Sequence, residues 1–143
     1  MLFYQPVEEK ADSRFVKLKL FHKGDPIHLS DVLPMLENFG LRVIGESPYA
    51  IKSFDGDIYW ILDFSMLLTG EHAFDIYTVN TLFQDAFNKV WHGDLEDDGF
   101  NRLILGAGLK GRAVSILRAF AKYERQIGGT FSQNYIEKSR IQY

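Results

Sequence analysis

The stretch IYWILDFSML, residues 58–67, limits the possible folds more than any other part of the chain. Ile58, Trp60, Leu62, Phe64 and Met66 alternate there with Tyr59, Ile61, Asp63, Ser65 and Leu67. Successive side chains of an extended strand point to opposite faces, so this spacing buries one set together only as a β-strand. Just before it, Phe54, Asp55, Gly56 and Asp57 contain an Asp-Gly pair, which favours a tight hairpin turn and makes Leu41–Ile51 the partner strand. Gly45 and Pro48 interrupt that partner and mark a bulge or an edge position. The second face of the main strand carries Tyr59, Ile61 and Leu67, more apolar than a solvated face needs, so a surface outside this sequence is expected to cover it.

The remaining patterns assemble around this hairpin. Val16, Leu18 and Leu20 alternate with Phe15, Lys17, Lys19 and Phe21, which gives a strand. Lys23, Gly24, Asp25 and Pro26 form a loop. Leu29, Val32, Leu33, Leu36 and Phe39 then recur at helical spacing. Pro34 is expected in the first turn of that helix, which puts the cap near Ser30 or slightly before, and Gly40 suits a left-handed position past its end. After a break at residues 69–71, Ile76, Val79, Phe83, Ala86, Phe87 and Val90 form the stripe of a long helix ending at Gly93. The order β-α-β-β-α predicts an α+β fold, a ferredoxin-like split unit that lacks its fourth strand. Leu2 to Tyr4 can supply that strand, another chain can lend it, or it is absent.

The acidic run Asp94, Glu96, Asp97 and Asp98 is the one plausible boundary. It separates an α/β domain, residues 1–93, from an all-helical segment, residues 94–143. Behind Asp97 and Asp98, Phe100, Leu103, Ile104 and Ala107 predict an amphipathic helix. A second helix is predicted from about Lys110, with Ala113, Ile116, Phe120, Tyr123 and Ile127 inward and Gly128 and Gly129 as its stop. A third runs from Phe131 to Tyr143 with Tyr135, Ile136 and Ser139 aligned.

Gly106, Gly108 and Gly111 also spell G-x-G-x-x-G behind the apolar Leu103, Ile104 and Leu105. That is the order of a dinucleotide-binding turn, where glycines let the backbone approach a pyrophosphate. It requires a strand over Arg102–Leu105 and a second strand carrying an acid ~20 positions on. The acid near that distance, Glu124, lies within a helical pattern. Two helices meeting at a glycine corner fit these residues better, and a nucleotide-binding unit is the alternative.

Composition narrows the function. The 143 residues are 46% hydrophobic, enough to fill a core, and lack cysteine. That excludes disulfides, thiolate catalysis and cysteine metal sites, and fits a reducing cytoplasm. No run approaches the ~20 apolar residues of a membrane span, and MLFYQPVEEK lacks the features of a secretory signal. A net charge of −3 disfavours nucleic acid as a partner. The charge is uneven, however: residues 110–143 carry seven basic and two acidic side chains, residues 1–109 nine and 17. Arg112, Arg118, Lys122 and Arg125 are expected to solvate one helix face and to meet acidic groups of the same assembly.

Catalytic chemistry is hard to find. His22, His28, His72 and His92 have no ligand spacing, and capping is the ordinary role for His28 beside a helix start. Asp55, Asp57 and Asp63, like Asp94–Asp98, do not meet the EF-hand pattern. The serines lack a G-x-S-x-G setting. Phe15, Phe21 and Tyr59 could share an open sheet face as a base-stacking platform, but the RNP consensus is absent and their domain is acidic, so covering by protein is favoured. No catalytic, metal or cofactor-binding residue is predicted.

The blocks LSDVLPMLENFGLRVIGESPYAI (29–51), DIYWILDFSM (57–66), FQDAFNKVWHGDLEDDGFNRLILGAGL (83–109) and ILRAFAKYERQIGGTFSQNYIEKS (116–139) resemble the large bacterial NAD-specific glutamate dehydrogenases, in order and over most of the chain. The resemblance places them in the regulatory N-terminal half: an ACT-like domain, then the start of a helical region. It implies a whole enzyme that uses NAD to convert L-glutamate to 2-oxoglutarate and ammonia. This segment is expected to be non-catalytic, to have the remaining domains of the same polypeptide as partners, and to sit in a cytoplasmic homo-oligomer. ACT-type domains typically bind an amino-acid effector at a domain interface. By position the effector loop is Lys23, Gly24 and Asp25, facing Asn38 and Gly40 of a paired domain; the alternative is a scaffold without a ligand. One departure is visible: Lys110, Gly111 and Arg112 stand where the family usually has a polar residue, tryptophan and arginine.

Overall fold

The computed structural model describes residues 1–6, 14–70 and 75–127. The strands are β1 (Leu2–Tyr4), β2 (Phe15–Lys23), β3 (Leu41–Lys52) and β4 (Ile58–Leu68), and the helices are α1 (Leu29–Asn38), α2 (Ile76–Trp91), α3 (Arg102–Ala107) and α4 (Gly111–Gln126). A 3-10 turn at Gly99–Asn101 leads into α3.

The four strands form one antiparallel sheet in the order β1-β2-β4-β3. The place beside β2, where a ferredoxin-like sheet keeps its last strand, is filled from the front of the chain. Leu2 pairs with Lys19 and Tyr4 with Lys17. Phe3, between them, is buried and meets Phe83 of α2 with ring centroids 4.3 Å apart. A single aromatic anchors this three-residue strand.

The long alternating strand is β4, and its register is as the pattern requires. Val16, Leu18 and Leu20 pair across from Met66, Phe64 and Leu62, so all six point into the core. On the other side β3 is an edge strand. It bulges between Val43 and Gly45, and Pro48 sits in that edge, where a missing N–H is tolerated. Gly56 takes φ +90° in the β3–β4 turn, a left-handed conformation that glycine adopts without steric cost.

Helices α1 and α2 cover the inner face. The whole predicted stripe of α2 is buried, and Asp75 caps its start by accepting from the Tyr77 N–H at 3.0 Å. Phe39, Phe83, Phe87 and Trp91 continue the ring cluster begun by Phe3, in tilted, edge-on and stacked contacts. In α1 the proline expectation needs correction. The cap position is His28, without a side-chain hydrogen bond, and Pro34 is the sixth helical residue, beyond the first turn. It is tolerated because its side of the helix is exposed, so the Ser30 carbonyl that it leaves without a backbone partner is within reach of water.

The helical segment adds to the same core. Leu95, Phe100, Leu103, Ile104, Leu105, Val114 and Ala121 join the sheet and α2 residues in one buried cluster. The predicted third helix, at 131–143, lies outside the described residues.

Candidate functional site

The glycine corner is helical. Asp98 caps the 3-10 turn by accepting from the Phe100 N–H at 3.1 Å, and α3 then occupies Arg102–Ala107, where a dinucleotide fold needs a strand. Gly108 closes α3 at φ +64°, with the Leu109 N–H reaching back to the Leu103 carbonyl at 3.4 Å. Gly111 opens α4, and a Cβ there would meet Leu95 Cδ2 at 3.4 Å. The three glycines therefore end one helix and begin another. The nucleotide-binding alternative built on Gly106, Gly108 and Gly111 is overturned by this geometry.

The four basic residues of α4 do not share one solvated face. Arg118 is 3% exposed and faces the acidic loop: Nε donates to Asp98 Oδ2 at 2.6 Å and Nη2 to Asp98 Oδ1 at 2.8 Å. Nη2 also reaches Asn101 Oδ1 at 3.0 Å, and the guanidinium lies 5.8 Å from the Phe100 ring. A two-pronged guanidinium–carboxylate pair of this kind fixes orientation as well as charge. Lys122 extends the knot to Glu96 at 3.1 Å. Asn101, fully buried, donates to the Glu96 carbonyl at 2.7 Å. Arg112 and Arg125 are exposed. Local periodicity gave no sign of this network, because Arg118 lies 17 to 22 positions from its partners and Lys122 lies 26 from Glu96.

The same contacts correct the inward face predicted for α4. Gly111, Val114, Arg118 and Ala121 are buried, whereas Ile116, Phe120, Tyr123 and Ile127 are 61%, 50%, 57% and 67% exposed. The Arg118 anchor rotates the helix, and small residues let it approach the core closely. A groove of about 240 Å³ runs beside it, lined by Asp94, Leu95, Glu96, Ser115, Arg118, Ala119 and Lys122. Its two cations are already paired with carboxylates of the acidic loop.

The expected effector residues fall at the two ends of the sheet. Lys23 is paired with Asp57 at 3.0 Å and lies over the Tyr59 ring. The Gly24 N–H donates to the Ile58 carbonyl, and the Gly24 carbonyl accepts from Trp60 Nε1, both at 2.8 Å. His22 Nδ1 contacts the Asp25 carbonyl at 2.7 Å. This loop is thus pinned to the start of β4. At the opposite end of β4, Asn38 Nδ2 donates to Asp97 Oδ1 at 2.8 Å, and the Gly40 carbonyl accepts from Thr69 Oγ1 at 2.9 Å. Nine strand residues, roughly 30 Å at 3.3 Å each, separate the two groups. One chain does not bring them together, so the proposed arrangement requires a second ACT-like domain.

The outer sheet face carries Phe15, Lys17, Lys19, Phe21 and Lys23 of β2 beside Leu67, Ser65, Asp63, Ile61 and Tyr59 of β4. Lys17 spans the middle, 3.0 Å from Asp63 and donating to Ser65 Oγ at 2.9 Å. Toward the hairpin the face becomes apolar. Phe21, Ile61 and Tyr49 form one cross-strand row and Tyr59 and Ile51 continue the next, with Phe21, Tyr49 and Ile51 about half exposed. At the hairpin tip the Ser53 hydroxyl bonds to the Asp55 carboxylate, and this holds the Asp55 pKa below the usual aspartate value. Among the described residues no cluster of three or more potential metal ligands occurs, and no helix is long and apolar enough to cross a membrane. His72 lies outside them.

This sheet order, with helices on one face and an appended helical corner, agrees with two family matches. Residues 1–79 match "Glutamate dehydrogenase, ACT3 domain", and residues 95–143 match "Glutamate dehydrogenase, helical motif 3". The chain belongs to the glutamate dehydrogenase family. Within it, the chain is 47% identical over 133 residues to the NAD-specific glutamate dehydrogenase of Halomonas elongata and 46% identical over 136 residues to that of Pseudomonas aeruginosa. The NAD-specific glutamate dehydrogenase of Mycobacterium tuberculosis is 37% identical over 135 residues. These alignments cover 93%, 95% and 90% of this chain but only 8% of each relative. The glutamate dehydrogenase segment described here is a small part of the length of the relatives it matches.

Proposed function

We propose that this protein is a regulatory and assembly segment of a large NAD-specific glutamate dehydrogenase and is not itself catalytic. The whole enzyme would convert L-glutamate, NAD and water to 2-oxoglutarate, ammonia and NADH. NAD would bind elsewhere in the polypeptide. The observation that carries this reading is the outer sheet face, where half-exposed Phe21, Tyr49 and Ile51 surround Ile61 and Tyr59. Such a patch is suited to protein contact, and in a cytoplasmic homo-oligomer it would meet another domain of the same polypeptide or of a second copy.

An amino-acid effector would then bind between paired domains, with Lys23, Gly24 and Asp25 of one facing Asn38 and Gly40 of the other. The loop is held rigidly by Trp60 and Ile58, which limits the ordering cost of binding. Thermal unfolding with the standard amino acids and NAD tests this. One amino acid at a hundred times its Kd should stabilise the chain by about 2.7 kcal/mol, and Asp25→Ala or Asn38→Ala should abolish the shift. No shift with any amino acid removes the effector role and leaves assembly. Glutamate-dependent NAD reduction by this chain alone would overturn the non-catalytic assignment.

A further inference from the structure

Arg102, at the start of α3, is half-buried, and its Nε is fully buried with no hydrogen-bond partner among the described residues. Asp63 Oδ1, buried in the same way, has Lys17 3.0 Å away. Lys17, Lys23, Lys89, Arg118 and Lys122 are each paired with a carboxylate, whereas Arg102 has no ion pair among the described residues. Arginine is always charged, and a buried donor without a partner costs free energy, so this group gains from any anion that reaches it. Its place is specific as well. Gly40 follows α1 at φ +81°, and a Cβ built there would lie 3.3 Å from Arg102 Cβ, so the bare glycine lets the start of α3 come this close. Two residues earlier, Asn38 Nδ2 donates to Asp97 Oδ1 at 2.8 Å. Asp97 is exposed, and no cation pairs with it among the described residues. The end of α1 is thus bordered by a guanidinium and a carboxylate, neither of which has a counter-ion there.

We propose that Arg102 receives the α-carboxylate of an amino-acid effector at the Asn38 and Gly40 half of the paired-domain site, with the ammonium group directed to Asp97. This inference rests on the effector reading above and adds to it a residue of the helical segment. The chemistry selects the ligand class. A planar guanidinium donates to both oxygens of a carboxylate, which fixes the orientation of the bound group. Asp97 would repel a simple carboxylate but attract an α-ammonium, so a zwitterion suits this place better than a bare anion. Asp98, next in the loop, is already paired with Arg118 and adds little to that repulsion. Because Arg102 belongs to α3 whereas Asn38 and Gly40 belong to the α/β domain, a ligand held by both would tie the helical corner to the sheet.

Isothermal titration of the full chain with each standard L-amino acid, and with the α-carboxamide of any that binds, tests this. The carboxamide should bind at least about tenfold more weakly, since it loses the charge-assisted pair. Arg102→Gln should weaken binding of the acid to a similar degree while leaving the melting temperature of the free chain unchanged or higher, because no partner is lost. Arg102→Lys keeps the charge without the planar fork and should fall between the two. Equal binding of acid and carboxamide would overturn the proposal without any substitution, so a variant that folds poorly does not remove the test. Binding that survives Arg102→Gln but is lost in Asp25→Ala would overturn the role of Arg102 and leave the effector reading standing. No binding by any amino acid would overturn both.

Discussion

Helices α2 and α4 each have 16 residues and an apolar stripe, but the core takes in the stripe of the first and turns away that of the second. In α2 the buried side is made of large groups, Ile76, Val79, Phe83, Phe87 and Val90, which fill the space above the sheet. In α4 it is made of Gly111, Val114 and Ala121 around one arginine. The difference shows that burial of a helix face depends on what the neighbouring surface can accept. The wide apolar sheet takes bulky groups. The acidic corner beside α3 takes a cation and small residues, and so fixes the rotation of α4.

The comparison can be broken at either anchor, and the largest effect is expected in α2. Phe83→Ala should lower the unfolding free energy by about 3–5 kcal/mol in chemical denaturation, since its ring is fully buried among Phe3, Phe39 and Phe87. Arg118→Met should cost less, about 2–3 kcal/mol, because the Asp98 left behind keeps some access to water. Arg118→Lys should recover little of that loss, as an ammonium cannot bridge both Asp98 oxygens and reach Asn101. A neutral result for Arg118→Met would mean that small-residue packing alone orients α4.

Smaller changes sharpen the comparison at the helix ends. Gly40→Ala should destabilise by about 1–2 kcal/mol, because φ is +81° and the new Cβ would lie 3.3 Å from Arg102 Cβ. Gly111→Ala should instead be neutral or stabilising by about 0.5 kcal/mol in thermal unfolding, since φ is negative and Leu95 Cδ2 is at contact distance. A bulky residue at Gly111 would compete with Leu95 for the same space. The smallest effect belongs to the β3–β4 turn. Ser53→Ala should raise the Asp55 pKa toward the ordinary aspartate value in an NMR titration. Because that pKa is depressed in the folded chain, the small stabilisation from Asp55 is present above the ordinary value and lost as pH falls through the folded one.

Where local spacing and tertiary demand agree, the elements were legible. The alternation in β4, the Asp-Gly turn, the bulge at Gly45 and the α2 stripe all follow from periods of 2.0 and 3.6 residues and from glycine's freedom. The aromatic outer face was legible too, since a strand's second face is fixed once the first is known. Pro34 was misplaced because an exposed helix face tolerates a break that a buried one does not. The face of α4 was misread because hydrophobicity favoured Ile116, Phe120 and Tyr123, while the deciding partner, Asp98, lies 20 residues from Arg118. For the candidate effector site, the sequence named residues on two loops but carried no information on their separation across the sheet.

Among the described residues, the sequence by itself determined the types and order of the long strands and helices and the family, because these depend on local periodicity, turn chemistry and long matching blocks. Only the tertiary structure decided that Leu2–Tyr4 completes the sheet and that the glycine motif is a helix corner. It alone revealed that a buried arginine rotates α4 outward. Each of these rests on contacts between residues far apart in the chain, where the energy of a pair depends on geometry that no local pattern encodes.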